Sequence, residues 1–415
     1  MNRSGAFLSL RQLDIAVSLA SGRVAAVFPL FIQTIYEQAK EDNVSNSPSS
    51  KGSKLRHAVV GMGAGIFRSH SLGLGLDEVE VVGGSDVAPE PGQERAEEWG
   101  CPFYPDHRQM LAETKPEVTV IVTPHPFHAP IAIDALNAGS HVLVEKPIAI
   151  QVKDADAMIA AARANNRVLA VNYQYRQLPH VRAMKRLIDS GQLGRIQRVT
   201  GVFPWMRTAA YYLRGGWRGT WRGEGGGVLM NQAPHDLDLV CHLVGSPQRV
   251  YAATATRLHA IQTEDTATAL LEWPEDAQGT IYFSTTESGP RSVEVSGTGG
   301  KIVLHQDRIE YERYDTDLRQ LITDSSEPFV RTEPAEADAG IEDEPDQHGH
   351  VAVYKDFHRA IREGGEPRCN GEEGLKSLEL ANAMIYSGAT GEAVDLPLDR
   401  EAYSELLERL QGEDV

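Results

Sequence analysis

The stretch His57-Ala58-Val59-Val60-Gly61-Met62-Gly63-Ala64-Gly65-Ile66 reads as a buried strand running straight into a glycine-rich turn. Early glycines let a backbone turn sharply and approach a pyrophosphate, which then rests on the amino end of the following helix. The next apolar strand closes on Asp86, roughly 20 residues on, where a carboxylate can accept hydrogen bonds from the adenine ribose hydroxyls. Gly61, Gly63, Ala64, Gly65, Ile66 and Asp86 are therefore candidate cofactor residues. Strict GxGxxG spacing would put its third glycine where the chain has Ile66, so Gly65 is expected to take the close-packing role in a differently wound turn. Asp86 would repel a 2′-phosphate, which favours NAD over NADP without excluding the latter.

Working outward, residues 118–124 (VTVIVTP), 141–147 (HVLVEKP) and 167–173 (RVLAVNY) read as further apolar strands. Helices are expected over 91–100 and 127–138. Continuously apolar strands alternating with helices imply a parallel sheet covered on both faces. After Tyr175 the texture changes. A helix over 181–190 leads into strands at 195–203, 249–258, 266–273, 279–286, 292–297 and 301–306, with turn residues between many of them. That predicts an α+β region with one large, mostly antiparallel open sheet. Residues 332–349, acidic and containing Pro and Gly, are expected as a surface loop, before helices at 354–362 and 373–387. The division expected is an extension and linker at 1–54, a Rossmann region at 55–175, and a substrate and oligomerisation region at 176–410.

The extension contains a fairly apolar stretch, residues 15–36, interrupted by Arg23. A membrane span needs about 20 predominantly apolar residues, so this is a poor candidate. No small-residue cleavage site marks it as a secretory signal. A formal net charge of −18 argues against a nucleic-acid or anionic-membrane partner. Cys101, Cys241 and Cys369 are far apart and form no CxxC pair, which suggests a reduced, cytoplasmic compartment and no structural metal.

Chemistry concentrates at two places. Lys146 lies just beyond the carboxyl end of a buried strand, at the edge where open α/β sheets bind ligands. There its ammonium can hydrogen-bond a reacting hydroxyl, and a nearby oxidised nicotinamide would lower its pKa. Downstream, Gly225-Gly226-Gly227 precedes Asn231 and His235, whose four-residue spacing shares one helical face. Histidine can take a hydroxyl proton near neutral pH. Lys146, Asn231 and His235 are the candidate catalytic and substrate-binding residues. Tyr175, Arg176 and Trp217 are counted as further substrate contacts. Trp217 belongs to an aromatic and arginine-rich stretch, Trp205 to Arg222, suited to sugar rings and leaving an acidic sugar such as a uronate open.

Together these pieces resemble the glucose–fructose oxidoreductase, inositol dehydrogenase and MocA (Gfo/Idh/MocA) family over residues 55–397. The likeness includes VTPHPFHAPIAIDALNAGSHVLVEKP, GGGVLMNQAPHDLD and EEGLKSLELANAMIYSG followed by VDLP. The resemblance implies a Rossmann domain followed by an open-sheet domain, NAD as cofactor, a sugar, inositol or polyol as substrate, and a homodimer or homotetramer. It places Lys146 and Glu145 in the family's EKP turn, His235 as acid/base, and Thr123, Pro124 and His128 beside the cofactor. Where family dehydrogenases often have aspartate, this chain has Asn231, which can orient a hydroxyl but cannot take its proton. Reversible hydride transfer is the leading expectation. A redox-neutral glycosidase or lyase that retains NAD is the alternative, and a non-catalytic sugar sensor the third.

Overall fold

Six short strands build the first sheet: β1 (Leu55–Val60), β2 (Val79–Ser85), β3 (Phe103–Tyr104), β4 (Val118–Ile121), β5 (His141–Val144) and β6 (Leu169–Val171). The computed structural model describes residues 53–306, 308–342 and 349–412. The apolar stretch at 15–36 and nearly all of the expected extension and linker lie outside these residues. The sheet order is β3-β2-β1-β4-β5-β6, and every pairing is parallel. Its inner strands are rich in Val because both faces are covered: β4 is buried at every position, as is β5 after His141.

Among the covering helices are α1 (Phe67–Leu74), α2 (Pro89–Glu98), α3 (His107–Thr114), α4 (His128–Asn137) and α5 (Val152–Ala164). Helix α2 begins at Pro89, two residues before the expected start. The helix expected from residue 127 instead opens with a 3₁₀ turn, His125–Phe127, before α4.

The second sheet has nine strands in the order β14-β13-β12-β11-β7-β10-β9-β8-β15. These are β7 (Ile196–Pro204), β8 (Arg249–Ala255), β9 (Thr266–Glu272), β10 (Gln278–Ser284), β11 (Ser292–Gly297), β12 (Gly300–His305), β13 (Ile309–Arg313), β14 (Ala335–Glu336) and β15 (Val394–Asp395). All neighbours are antiparallel except β7 and β10. Buried and exposed positions alternate along β8, β9 and β10, as expected for a sheet with one covered face. The loop expected at 332–349 contains the edge strand β14, and residues 343–348 lie outside the described set.

The carboxyl-terminal chain also returns to the first sheet. Helix Gly349–Glu363 buries Val353, Tyr354 and Phe357 against Val59, Met62, Phe67 and Val118. The Tyr354 ring lies where a Cβ on Gly73 would sit, 2.3 Å from that position, so α1 can approach only because residue 73 has no side chain. From Lys54 onward the chain forms one compact unit. Among the described residues no helix is long and apolar enough to cross a membrane.

Candidate active site

The glycine turn follows β1 directly. Gly61 has φ +95°, and a Cβ there would meet the Val122 backbone at 2.8 Å, so two strand ends converge on a residue that must be glycine. The Gly63 amide donates to Asp86 Oδ2 at 2.8 Å, and the Ala88 amide donates to Oδ1 at the same distance. Asp86 thus pins the turn to the end of β2. Nothing lies within 4 Å of a Cβ built on Gly65, which corrects the expectation that Gly65 serves close packing. The tight helix contact is made two turns later, at Gly73. The open space at Gly65 is what a pyrophosphate needs.

A cavity of about 1100 Å³ runs from this turn to the EKP lysine, with Ile66, Asp86, Thr123, Pro124, Lys146 and Asn231 in its wall. Gly61, Gly63, Ala64, Gly65 and Glu145 line it as well. Thr123 Oγ1 is buried without a hydrogen-bond partner. A buried hydroxyl at the cavity wall, the glycine cradle and the Asp86 carboxylate together fit a dinucleotide.

His128 is a correction to the cofactor set. Its ring is fully buried, with Nδ1 2.8 Å from the Pro147 carbonyl and Nε2 2.9 Å from the Thr123 carbonyl. It ties the Thr123 segment to the EKP turn and has no ring nitrogen left for a cofactor. Burial lowers its pKa, so the ring is neutral and donates to only one of the two carbonyls at a time.

The EKP turn is clamped from beneath. Glu145 Oε1 lies 2.8 Å from His70 Nε2 and accepts from Asn172 Nδ2, while Oε2 accepts from the Lys146 amide at 3.1 Å. His70 Nδ1 reaches the Tyr354 hydroxyl at 3.0 Å, so the returning helix contributes to the clamp. His70, Glu145 and His350 are the one group of possible metal ligands among the described residues, with donor atoms all within 4.8 Å of one another. The bonds from His70 and Asn172 already occupy the Glu145 oxygen, which suits a hydrogen-bonded clamp. His70 and the other clamp residues were not singled out from sequence.

Lys146 Nζ donates to the main-chain carbonyl of Asn231 at 2.9 Å. Burial lowers its pKa, opposed by the carboxylates of Glu145 and Glu224. Asn231 and His235 do not share one continuous helix. Asn231 ends a single turn, Val228–Asn231, and His235 lies in the first turn of helix Pro234–Val244. Pro234 has no amide hydrogen and Ala233 N reaches back to Val228 O at 2.8 Å, so the ordinary ladder breaks between them.

The Asn231 amide is held at both ends. Its Oδ1 accepts from the Tyr211 hydroxyl at 3.0 Å, and its Nδ2 donates to Glu224 Oε1. Glu224 is 1% exposed and also accepts from the Gly219 amide at 2.6 Å. Burial pushes its pKa up to about 7, opposed by those hydrogen bonds and by the charges of Arg218 and Lys146. Sequence reasoning missed Glu224, although it directly precedes the Gly225-Gly226-Gly227 run.

The His235 ring stacks on Tyr175 at 4.7 Å and meets the edge of Tyr173 at 5.8 Å. Its Nδ1 is buried without a partner. Burial first, then the Lys146 charge, push its pKa well below the ordinary imidazole value, so it stands neutral and able to accept a proton.

Two expected substrate contacts divide. Trp217 lines the large cavity, edge-on to His125 at 5.3 Å. Arg176 is a correction: it is 1% exposed, with its guanidinium engaged by Asp238 at 2.7 Å, Glu373 at 3.0 Å and the Arg368 carbonyl. A charge that deep must be paired, and here the pairing consumes its donors.

Residues 55–173 match the oxidoreductase family with NAD-binding Rossmann fold, and residues 181–303 match the GFO/IDH/MocA C-terminal domain. The chain is 26% identical to levoglucosan dehydrogenase of Pseudarthrobacter phenanthrenivorans over 350 residues, 75% of this chain and 88% of that protein. It is 27% identical to D-apiose dehydrogenase of Paraburkholderia graminis over 355 residues, 82% and 90% of the two chains. The solved structure of the WlbA dehydrogenase from Bordetella pertussis, in complex with NADH and UDP-GlcNAcA, is similar with TM-score 0.72 and 31% identity, covering 85% of this chain and 100% of that one. With a glycine cradle, a pinned Asp86 and an EKP lysine in one cavity, the chain belongs to the GFO/IDH/MocA family and is an NAD(P)-dependent oxidoreductase.

Proposed function

We propose that the protein transfers a hydride between a secondary hydroxyl of a sugar, inositol or related polyol and NAD. The observation that carries this reading is Lys146 Nζ anchored 2.9 Å from the Asn231 carbonyl, inside the cavity that begins at the dinucleotide turn. The bound nicotinamide supplies the hydride acceptor.

The chain's own residues do the rest. Lys146 donates to the substrate oxygen and steadies negative charge as it develops there. His235, neutral because it is buried beside a cation, takes the hydroxyl proton. Asn231 is oriented by Tyr211 and Glu224, with one amide hydrogen left for the substrate. Its side chain cannot relay the proton, so the burden falls on His235. The dehydrogenase names of the curated relatives support a sugar-class substrate.

In this reading residues 55–175 bind the cofactor, and residues 176–410 provide the substrate face and the homo-oligomer contact, with helix Gly349–Glu363 lent back to the first sheet. Asp86 selects NAD, and the enzyme works in the cytoplasm. The test is a screen of sugars, inositols, anhydrosugars and uronates with NAD and NADP, following reduced cofactor by absorbance. Stoichiometric NADH is the expected result. Glycoside cleavage without net NADH would overturn the reading, and turnover with NADP alone would overturn the role given to Asp86.

A further inference from the structure

A second cavity, about 250 Å³, has Tyr175, Val181, Phe203, Asp236, Arg291 and Leu304 in its wall. The same Tyr175 ring that lines it stacks on His235 at 4.7 Å. Sheet register brings its polar end together. Strands β7 and β11 are antiparallel with Ser292 opposite Val202, which carries Arg291, one residue before β11, to the level of Phe203, with Trp205 a diagonal neighbour two residues on. The Arg291 guanidinium lies 3.7 Å from the centre of the Trp205 ring. The indole Nε1 donates to Asp236 Oδ2 at 2.7 Å.

Arg291 is shielded, with its side chain 15% exposed, yet it is weakly compensated. Its closest carboxylate pairing among the described residues is Asp236 Oδ1 at 3.9 Å, beyond hydrogen-bond reach. Burial raises the Asp236 pKa to about 6, so the partner's own charge is costly there. The contrast with Arg176 decides the matter. Arg176 is more deeply enclosed, at 1% against 15% exposed, and carboxylates at 2.7 and 3.0 Å pair it. A planar guanidinium at a cavity wall, held by an indole face and lacking a tight anion, is built to receive one.

We propose that this cavity is the subsite for a carboxylate on the substrate, bound by Arg291, so that the enzyme's substrates are uronates or other sugar acids. The proposal rests on the dehydrogenase reading above and narrows it. The reacting hydroxyl sits at His235, and the carboxylate lies beyond the Tyr175 ring at Arg291. The volume suits one small substituent, being just below the range of roughly 300–1,000 Å³ usual for whole-ligand pockets. Asp236 in its ionised form disfavours a dianionic phosphate, whereas a monoanion is neutralised by Arg291.

The experiment compares glucuronate and galacturonate, free and as methyl glycosides, with glucose, galactose and glucose 6-phosphate. Turnover with NAD and calorimetric binding to the NADH-loaded protein are measured for the wild type, Arg291→Gln and Arg291→Lys. We expect the uronates to be preferred over their neutral parents and over the phosphate. In Arg291→Gln the preference should fall by about 10- to 100-fold through KM rather than kcat, as expected for loss of a charged hydrogen bond. Arg291→Lys should recover part of it, which a merely structural role would not produce.

Turnover of neutral sugars with no uronate preference, or a preference unchanged in Arg291→Gln, overturns the subsite and leaves the dehydrogenase reading standing. Uronate binding that depends on Arg291 without turnover of any sugar keeps the subsite and overturns the dehydrogenase reading. Neither binding nor turnover overturns both. Preference for the phosphate overturns the carboxylate assignment.

Discussion

At the residue scale the centre turns on Asn231. It holds a position where related dehydrogenases often carry aspartate, yet a carboxyl group is still close by, because Glu224 accepts from the Asn231 amide. An Asn231→Asp substitution would therefore not simply install a base. It would set two buried carboxyls against each other, and like charges in one site cannot both ionise freely. One of the pair should hold its proton above neutral pH. The expected outcome is a pH–kcat profile whose rising limb moves to higher pH, with activity at pH 7 below wild type. Adding Glu224→Gln should move that limb back. A single Asn231→Asp variant with an unshifted profile would show that Glu224 is not coupled to this position. Lys146 is sharpened by the same geometry: its ammonium is aimed by a main-chain carbonyl, so its placement survives changes in the Asn231 side chain.

At the element scale the helix Gly349–Glu363 ties the later part of the chain to the first sheet. It covers the first sheet and reaches the EKP turn through Tyr354, His70 and Glu145. The contact depends on Gly73, because a Cβ there would lie 2.3 Å from the fully buried Tyr354 ring. Gly73→Ala should destabilise the protein by about 1–3 kcal/mol, the usual cost of overpacking, despite alanine's better helix propensity. Denaturant unfolding measures this. The same variant should lower kcat more than it raises KM for NAD, because the displaced ring carries the hydrogen bond to His70. Unchanged stability in Gly73→Ala would mean that the helix can shift at little cost, and that the clamp is not rigid.

At the scale of the whole molecule, buried ionisable groups set the pH range of stability. His57 and His242 have pKa values lowered to about 3, and His141, His350 and His358 to about 4, all chiefly by burial. Each binds fewer protons folded than unfolded between those values and 6.5, so stability falls as pH drops through that window. Glu224 and Glu264 are raised to about 7 and Asp236 to about 6. The folded state holds those protons longer than the unfolded chain, so stability falls as pH rises from about 4.5 to 7. His125, His128 and His235 are lowered as well, and Asp154 and Asp238 raised, so where the windows overlap eight imidazoles oppose five carboxyls and the imidazoles prevail. Thermal unfolding of the cofactor-free protein should show its highest midpoint near pH 6.5, with a steeper fall on the acid side. A midpoint flat from pH 5 to 8 would contradict these assignments.

Local pattern by itself determined five of the six strands of the first sheet, the dinucleotide turn and the position of Lys146, but not the two-residue edge strand β3. Each is written in a few contiguous residues: apolar runs with no polar alternation, glycines where the backbone must turn, and a lysine at a strand end. Asp86 was legible for the same reason, since it is fixed by its place after β2. What only the tertiary structure decided is where distant polar groups meet. Arg176 and Arg291 look alike in sequence, but packing surrounds the first with Asp238 and Glu373 and leaves the second with a carboxylate at 3.9 Å. The four-residue spacing of Asn231 and His235 suggested one helix, and Pro234 between them broke it. The burial of Glu224, the Tyr354–His70–Glu145 clamp and the Arg291–Trp205 stack each depend on contacts between segments far apart in the chain. Periodicity reports which face of an element is buried; it does not say which other element arrives to bury it.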